Sequence, residues 1–310
     1  MATVLAVLGS GRAAGYTAGL WEAACDGAAR VDGVEVVRVH LRRHRFGPCT
    51  SCFSCIRAPG SGCVLDDDMG RNGQGELYRL VQQSNALLIV DAVHLWGPTA
   101  YAHLFFERLY PTLWTGELNG LPFASISCAG NQGMQHLARE ELCKWARGKG
   151  MRYVGGLAEH AVDYRAAQER SRELGERLAA AAVVDGQGRQ PFADEVERFL
   201  AYADETFDLG REYLLNLTQG TMDAAQSLPK VGLDNGSFAT GTPAEGLARQ
   251  AQEHLIVALS ADAAGHRETA LRRLAAASSA WTRATWLALL EEKVVGATQP
   301  TAYKPLVSDD

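Results

Sequence analysis

The first 184 residues alternate short apolar, β-branched runs with helix-length segments, and that alternation leaves few folds open. The runs TVLAVL (3–8), EVVRVHL (35–41), NALLIVDAV (85–93), PFASISCA (122–129) and the stretch 153–162 read as five strands. Helical patterns lie between and after them, near 17–30, 76–84, 99–110, 132–149 and 164–182. Crossover helices cover both faces of a parallel sheet, so the order βαβαβαβαβα predicts an α/β fold with a doubly wound, five-stranded parallel sheet. A ligand on such a sheet sits beyond the carboxyl ends of the strands, where strand order reverses. A site is therefore expected among the loops after Leu8, Val93 and Ser127.

After the break DGQGRQP (185–191) the pattern turns wholly helical. Phe192, Val196, Phe199, Leu200, Ala203, Phe207 and Leu214 recur at spacings of three and four, as do Leu247, Ala251, Leu255 and Ala258, and then Leu271, Leu274, Trp281 and Ala288. The expected organisation is a domain over 1–185 and a three-helix extension over 186–310. The Gly-, Thr- and Pro-punctuated connection 217–246 is long for a helix turn, and Leu228, Val231, Leu233 and Phe238 within it suggest a lid over a site. Residues 185–310 carry 18 acidic and 11 basic side chains against 18 and 19 in residues 1–184, so the acidity belongs to the extension.

The net charge of -6 offers no bulk attraction to nucleic acid or anionic lipid. Runs such as 86–93 are too short to span a bilayer, which takes roughly 20 residues. The N-terminus lacks a basic segment and a longer apolar stretch, so no secretory signal is expected and the location reads as cytoplasmic.

Two loops carry chemistry. The first, Gly9-Ser10-Gly11-Arg12-Ala13-Ala14-Gly15-Tyr16-Thr17, falls between a strand and a helix, where glycines, hydroxyls and a helix N-terminus suit a phosphate. It lacks the GK[ST] ending of a triphosphate loop and fits the dinucleotide spacing poorly, so a terminal monophosphate suits it better. An ordinary strand–helix turn is the alternative. The second is Cys49-Thr50-Ser51-Cys52-Phe53-Ser54-Cys55 followed, after seven residues, by Cys63. Two CxxC steps sharing a cysteine wrap several thiolates around one centre, as in bacterial ferredoxins, and favour a [4Fe-4S] cluster. A tetrathiolate zinc site, which usually pairs two separated CxxC knuckles, is the alternative.

The first strand, its GSxRxxGxT loop, the second strand, the CxxCxxC-x7-C motif and Asp67-Asp68-Met69 together resemble the NADPH-dependent FMN reductase family, in its iron-sulfur flavoprotein branch. The resemblance covers roughly residues 1–184. It implies a flavodoxin-like fold, FMN beside a [4Fe-4S] cluster on Cys49, Cys52, Cys55 and Cys63, and a homo-oligomer in which the cluster faces a neighbouring subunit's flavin. Carried onto this chain, Ser10, Arg12, Tyr16 and Thr17 hold the FMN phosphate. Ala92, Val93, His94, Leu95, Trp96 and Gly97 line one side of the isoalloxazine; Ala129, Gly130, Asn131, Gln132 and Gly133 line the other. The chain departs from the family at Gly11, where Pro is common, at Tyr16, where Asn is common, and at 92–97, where SPVYWG is usual. His94 is a candidate catalytic proton donor, its unperturbed pKa lying near neutrality, with a structural histidine as the alternative.

These features point to a reductase that takes electrons from a ferredoxin-like donor or NAD(P)H and passes them to a small-molecule substrate. The opposing reading is a non-catalytic electron carrier or regulatory flavoprotein whose helical extension binds a protein partner.

Overall fold

The computed structural model describes residues 1–131, 133–205 and 208–291; Gln132 and Phe207, named above, lie outside the described residues. Five parallel strands, β1 (Ala2–Leu8), β2 (Val34–His40), β3 (Ala86–Ala92), β4 (Pro122–Ala129) and β5 (Arg152–His160), stand in the order β2-β1-β3-β4-β5. This is the flavodoxin-like doubly wound order, with its reversal between β1 and β3. Leu8 pairs with His40 on one side and Val90 on the other, and Ala92 pairs with Cys128. The carboxyl ends of β1, β3 and β4 consequently finish along one edge.

The helices of this unit are α1 (Tyr16–Ala28), the single turn α2 (Ser54–Arg57), α3 (Glu76–Gln83), α4 (Ala100–Arg108), the single turn α5 (Thr112–Thr115), α6 (Gln135–Gly148) and α7 (Tyr164–Gln187). Side chains alternate across a strand, so Val4, Ala6 and Leu8 pack with Leu20, Trp21, Leu174 and Leu178 of α1 and α7. Leu5 and Val7 pack on the other face with Leu77, Val81, Phe105 and Leu142 of α3, α4 and α6. Both faces are apolar because both are covered. Helices α1 and α7 meet at backbone distance: a Cβ on Gly175 would lie 2.0 Å from the Ala24 carbonyl, and one on Gly27 would lie 2.1 Å from that of Arg172.

The break expected at 185–191 is anchored rather than free. Helix α7 runs on to Gln187, and Arg189 pairs with Asp185 at 2.8 Å while donating to the Ser84 and Glu117 carbonyls. Phe192 exchanges two hydrogen bonds with the Asn119 side chain and lies under the Arg152 guanidinium, 4.0 Å from its ring centre. The chain divides into compact units between Phe192 and Ala193. Phe192 thus belongs to the α/β unit, not to the first helix of the extension.

The second unit contains α8 (Glu195–Ala201), α9 (Leu209–Leu217), α10 (Leu228–Asp234), α11 (Pro243–Ala263) and α12 (Arg267–Glu291). The apolar pattern that read as one helix from 192 is cut in two, because Asp194 and Asp208 each cap a helix start. The connection 217–246 is likewise structured. Ser227 caps α10 with Pro229 behind it, and Thr242 caps α11 with Pro243 behind it, so the punctuation marks helix starts rather than a loop. Phe238 is buried edge-on against Trp281, in a cluster with Leu233, Ala248 and Ala284. Leu233 and Phe238, expected to cover a site, are used inside the helical unit. Among the described residues no helix is long and apolar enough to cross a membrane.

One charged residue interrupts the apolar run of β3. Asp91 is fully buried; its Oδ2 accepts the Thr99 amide at 2.7 Å, and its Oδ1 lies 2.9 Å from Thr99 Oγ1. The same hydroxyl lies 3.0 Å from the Gly9 carbonyl and accepts the Ala102 amide, capping α4. A Cβ on Gly9 would stand 2.4 Å from Asp91 Oδ1, so this position needs glycine. Burial pushes the Asp91 carboxyl up to about 6, with the Thr99 hydrogen bonds pulling the other way. A folded pKa above the unfolded value of about 3.9 means that this contribution to stability is complete below about pH 4 and is lost as pH rises through the folded pKa. Asp91→Asn should therefore gain on the unsubstituted protein by about 2–3 kcal/mol between pH 4 and pH 7.5. Urea unfolding at both pH values measures this, and a difference independent of pH would show that Asp91 does not titrate in this window.

Candidate functional site

Three loops at the carboxyl ends of β1, β3 and β4 enclose a cavity of about 270 Å³. Arg12 comes from the first loop and Tyr16 and Thr17 from the first turn of α1; Ala92 ends β3, followed by Val93 and His94 of the second loop, and Gly130 and Asn131 come from the third, joined by Cys128. Most of the residues expected to hold a flavin are thus brought together. Ser10 stands behind the wall, buried, its carbonyl 2.7 Å from His40 Nε2. A carbonyl only accepts, so Nε2 carries the proton. Arg42 donates to the Gly11 carbonyl at 2.8 Å, and Ser10 Oγ accepts the Arg12 amide at 3.3 Å.

Two of these bonds occupy the Ser10 and Gly11 carbonyls. The N-terminus of α1 behind it has no side-chain cap and no acidic residue in its first turn. Uncapped N–H groups, the Thr17 hydroxyl and the Arg12 guanidinium are a donor set suited to a phosphate. The third loop is held from β5: His160 Nε2 donates to the Asn131 carbonyl at 3.0 Å while its Nδ1 accepts the Val162 amide. Burial pushes the Cys128 thiol up, with Thr17 opposing, so it stays protonated and acts as a small apolar group.

The second loop does not lie flat. His94 and Gly97 exchange backbone hydrogen bonds at 2.9 and 3.1 Å, closing a turn in which Leu95 (φ 46°) and Trp96 (φ 69°) are both left-handed. Such a conformation costs a non-glycine residue roughly 1–2 kcal/mol, and this turn holds two with their apolar side chains exposed, Leu95 completely so. Strain of this kind collects at ligand clamps. His94 is exposed on the cavity rim.

The four motif cysteines line a second cavity of about 250 Å³, with Phe53, Leu65, Tyr110 and Pro111 as its apolar wall. Ser51 and Phe53 take left-handed conformations (φ 51° and 56°), which curl the segment so that its cysteines share one space. The Ser51 amide reaches Cys49 Sγ at 3.4 Å, and Arg57 donates to the Cys52 carbonyl at 2.7 Å. Hydrogen bonds from Ser54 lower the Cys52 thiol; burial, and then the neighbouring Cys63 and Cys49, raise Cys55. Lys149, pushed down to about 8 by burial, feels Cys55 and Cys49 and holds its Nζ 5.6 Å from the Tyr110 ring centre.

Behind the cysteines stands Arg108, fully buried at the end of α4. It grips Asp67 with two hydrogen bonds, at 2.6 and 2.9 Å, and donates to the Gly47 carbonyl at 2.8 Å and to Cys63 Sγ at 3.2 Å. Its Nε, also buried, has no acceptor. A donor set of four thiols with buried positive charge beside it fits an anionic iron–sulfur centre. Among the described residues, the group of His, Cys, Asp and Glu side chains with ligand atoms mutually within 4.8 Å is His44, Asp68 and Glu76.

Several residues of these sites escape sequence reasoning. Asp91 is visible as a charge inside an apolar run, and Thr99 as a hydroxyl just before a helix. His40, Arg42, His160 and Arg108 give no local signal, since each acts on a segment distant in sequence.

Residues 2–164 match the sequence profile of the NADPH-dependent FMN reductases. Over 105 residues the chain is 34% identical to an iron-sulfur flavoprotein of Archaeoglobus fulgidus, a stretch covering 34% of this chain and 44% of that relative. The chain thus spans less than half the length of this curated relative. Among solved structures it is similar to a flavone reductase (TM-score 0.45, 16% identity, 61% of this chain and 66% of that one). It is also similar to a flavodoxin, WrbA-like protein of Agrobacterium tumefaciens (TM-score 0.42, 15% identity, 59% and 99%). The profile spans more than half of the chain and takes in every strand of the sheet together with both cavities' loops, and on that ground the chain belongs to the NADPH-dependent FMN reductase family.

Proposed function

We propose that this protein is an iron–sulfur flavoprotein oxidoreductase that binds FMN at the sheet edge and a [4Fe-4S] cluster on Cys49, Cys52, Cys55 and Cys63. It would move electrons from NAD(P)H or a ferredoxin-like donor to a small-molecule substrate. The observation that carries this reading is one α/β unit holding both donor sets, an uncapped, Arg12-flanked helix N-terminus and a ring of four thiols. Bound FMN accepts electrons singly or in pairs, and a [4Fe-4S] cluster passes them one at a time, so the two together join a one-electron donor to a two-electron reduction.

The chain's own residues do the holding. Arg12 and Thr17 bind the phosphate, with Ser10 and Tyr16 beside them, while His40 and Arg42 keep the loop carbonyls turned away from it. The 92–97 turn and the segment 129–133 flank the ring, with His160 fixing Asn131. His94, exposed on the rim, is placed to deliver a proton to a substrate there. Cysteines kept reduced for a cluster fit a cytoplasmic location, and closed twofold assembly is the commonest state for such a protein. The non-catalytic reading draws on a different observation: the 217–246 connection spends Leu233 and Phe238 inside the helical unit.

Three measurements bear on this. Anaerobically purified protein should contain about four iron and four sulfide per chain, and Cys52→Ser should lose them together with the broad visible absorption; stoichiometric zinc without sulfide would sink the cluster. Arg12→Ala should weaken FMN binding by about 10- to 100-fold, one charge-assisted hydrogen bond being worth about 1.5–3 kcal/mol. Riboflavin, which lacks the phosphate, should bind the variant and the unsubstituted protein alike; equal losses for both ligands in a flavin-fluorescence titration would place the phosphate elsewhere. Finally, the loaded protein should turn over a small quinone with NADPH or with reduced ferredoxin. No turnover with either donor, while flavin and cluster both reduce at an electrode, would favour the electron carrier.

A further inference from the structure

Among the described residues Arg108 heads the fully buried side chains in size, and it lies outside every motif that points to the cofactors. Its guanidinium is permanently charged and planar, with five N–H donors. Two of them grip Asp67 and one holds Gly47. A fourth, from Nη2, goes to Cys63 Sγ at 3.2 Å. An anchor for the loop alone would be complete with Asp67 and Gly47. The additional bond brings the cation into direct contact with one of the four sulfurs, at a depth where the guanidinium is 1% exposed and solvent screens it little.

We propose that Arg108 is a positioning residue for the cysteine-bound cluster, fixing Cys63 in the ligand ring and raising the cluster's midpoint potential through its Nη2–H···Sγ hydrogen bond. This deepens the iron–sulfur reading above and rests on it. Reduction by one electron adds one negative charge to the centre and its thiolates. A fixed positive charge bonded to a ligating sulfur stabilises that added charge, and hydrogen bonds to the sulfurs are among the features that set such potentials. Asp67 has the opposite effect: bonded to the same guanidinium, it offsets part of the positive charge while holding the fork in place. The two residues therefore make opposite predictions, which a purely structural role would not.

The experiment uses the full chain, anaerobically reconstituted, with iron, sulfide and flavin assayed before a mediated redox titration followed by absorption and electron paramagnetic resonance. Arg108→Gln should shift the cluster's midpoint potential to more negative values and leave the FMN potential in place, an internal control within the same molecule. Asp67→Asn, which keeps the guanidinium and removes its counter-charge, should shift the cluster potential to more positive values. A fully loaded Arg108→Gln protein with the unsubstituted potential would overturn the proposal. Should that variant fail to load its cluster, Asp67→Asn decides: a positive shift sustains the proposal and an unchanged potential overturns it. Loss of the cluster from both variants would confine the pair to holding the loop and likewise overturn it. Absence of iron and sulfide from the unsubstituted protein would instead remove the iron–sulfur reading itself.

Discussion

The site at the sheet edge depends on one buried contact, in which Thr99 joins the carboxylate of Asp91 to the carbonyl of Gly9. A parallel sheet delivers its strand ends to one edge but leaves the loops beyond them free to splay. Here the loop after β1 and the loop after β3 are joined through a single hydroxyl that also caps α4. A buried carboxylate without a cation is costly, and its pKa is raised accordingly. The close approach admits no side chain at Gly9, so the cost of Asp91 and the choice of glycine are two aspects of one constraint.

The remaining loops are fixed by the same device applied from outside. His40, Arg42 and His160 each donate to a backbone carbonyl of a cavity loop. An occupied carbonyl cannot turn toward a ligand, so the backbone N–H groups and the positive end of α1 are left to face an anion. The Leu95–Trp96 turn works differently, holding two left-handed residues in place by a mutual pair of backbone hydrogen bonds. The cysteine segment has no strand or long helix to hold it, and buried Arg108, paired with half-buried Asp67, supplies the anchor that secondary structure does not. Removing Asp67 would leave the Arg108 charge buried without its counter-charge, which is costly.

The helical unit obeys a simpler rule. Its longest helices, α11 and α12, meet through alanines such as Ala248, Ala251, Ala258, Ala277 and Ala284, which permit close packing along their length. Leu233 and Phe238 of the 217–246 connection, which precedes α11, pack in that core with Trp281. A segment that looks like a lid by composition is thereby drawn into a core by Leu233 and Phe238.

Strand number and the position of every strand within a residue or two follow from the sequence, because a sheet buried on both faces demands continuous apolar runs and crossover helices demand their own period. The cysteine spacing and the Gly9–Thr17 loop are likewise local patterns, and they single out two segments that the fold sets against cavities. The helix starts hidden in the 217–246 connection are also local, but Ser227-Leu228-Pro229 and Thr242-Pro243 mark caps and turns equally well, so composition alone favours a loop. What only the tertiary structure decides is who holds the loops. Asp91, Thr99, His40, Arg42, His160 and Arg108 act on segments that lie from 8 to 90 residues away. Their partners are mostly backbone carbonyls and amides, which every residue has, so no side-chain pattern records the pairing and only the folded path of the chain reveals it.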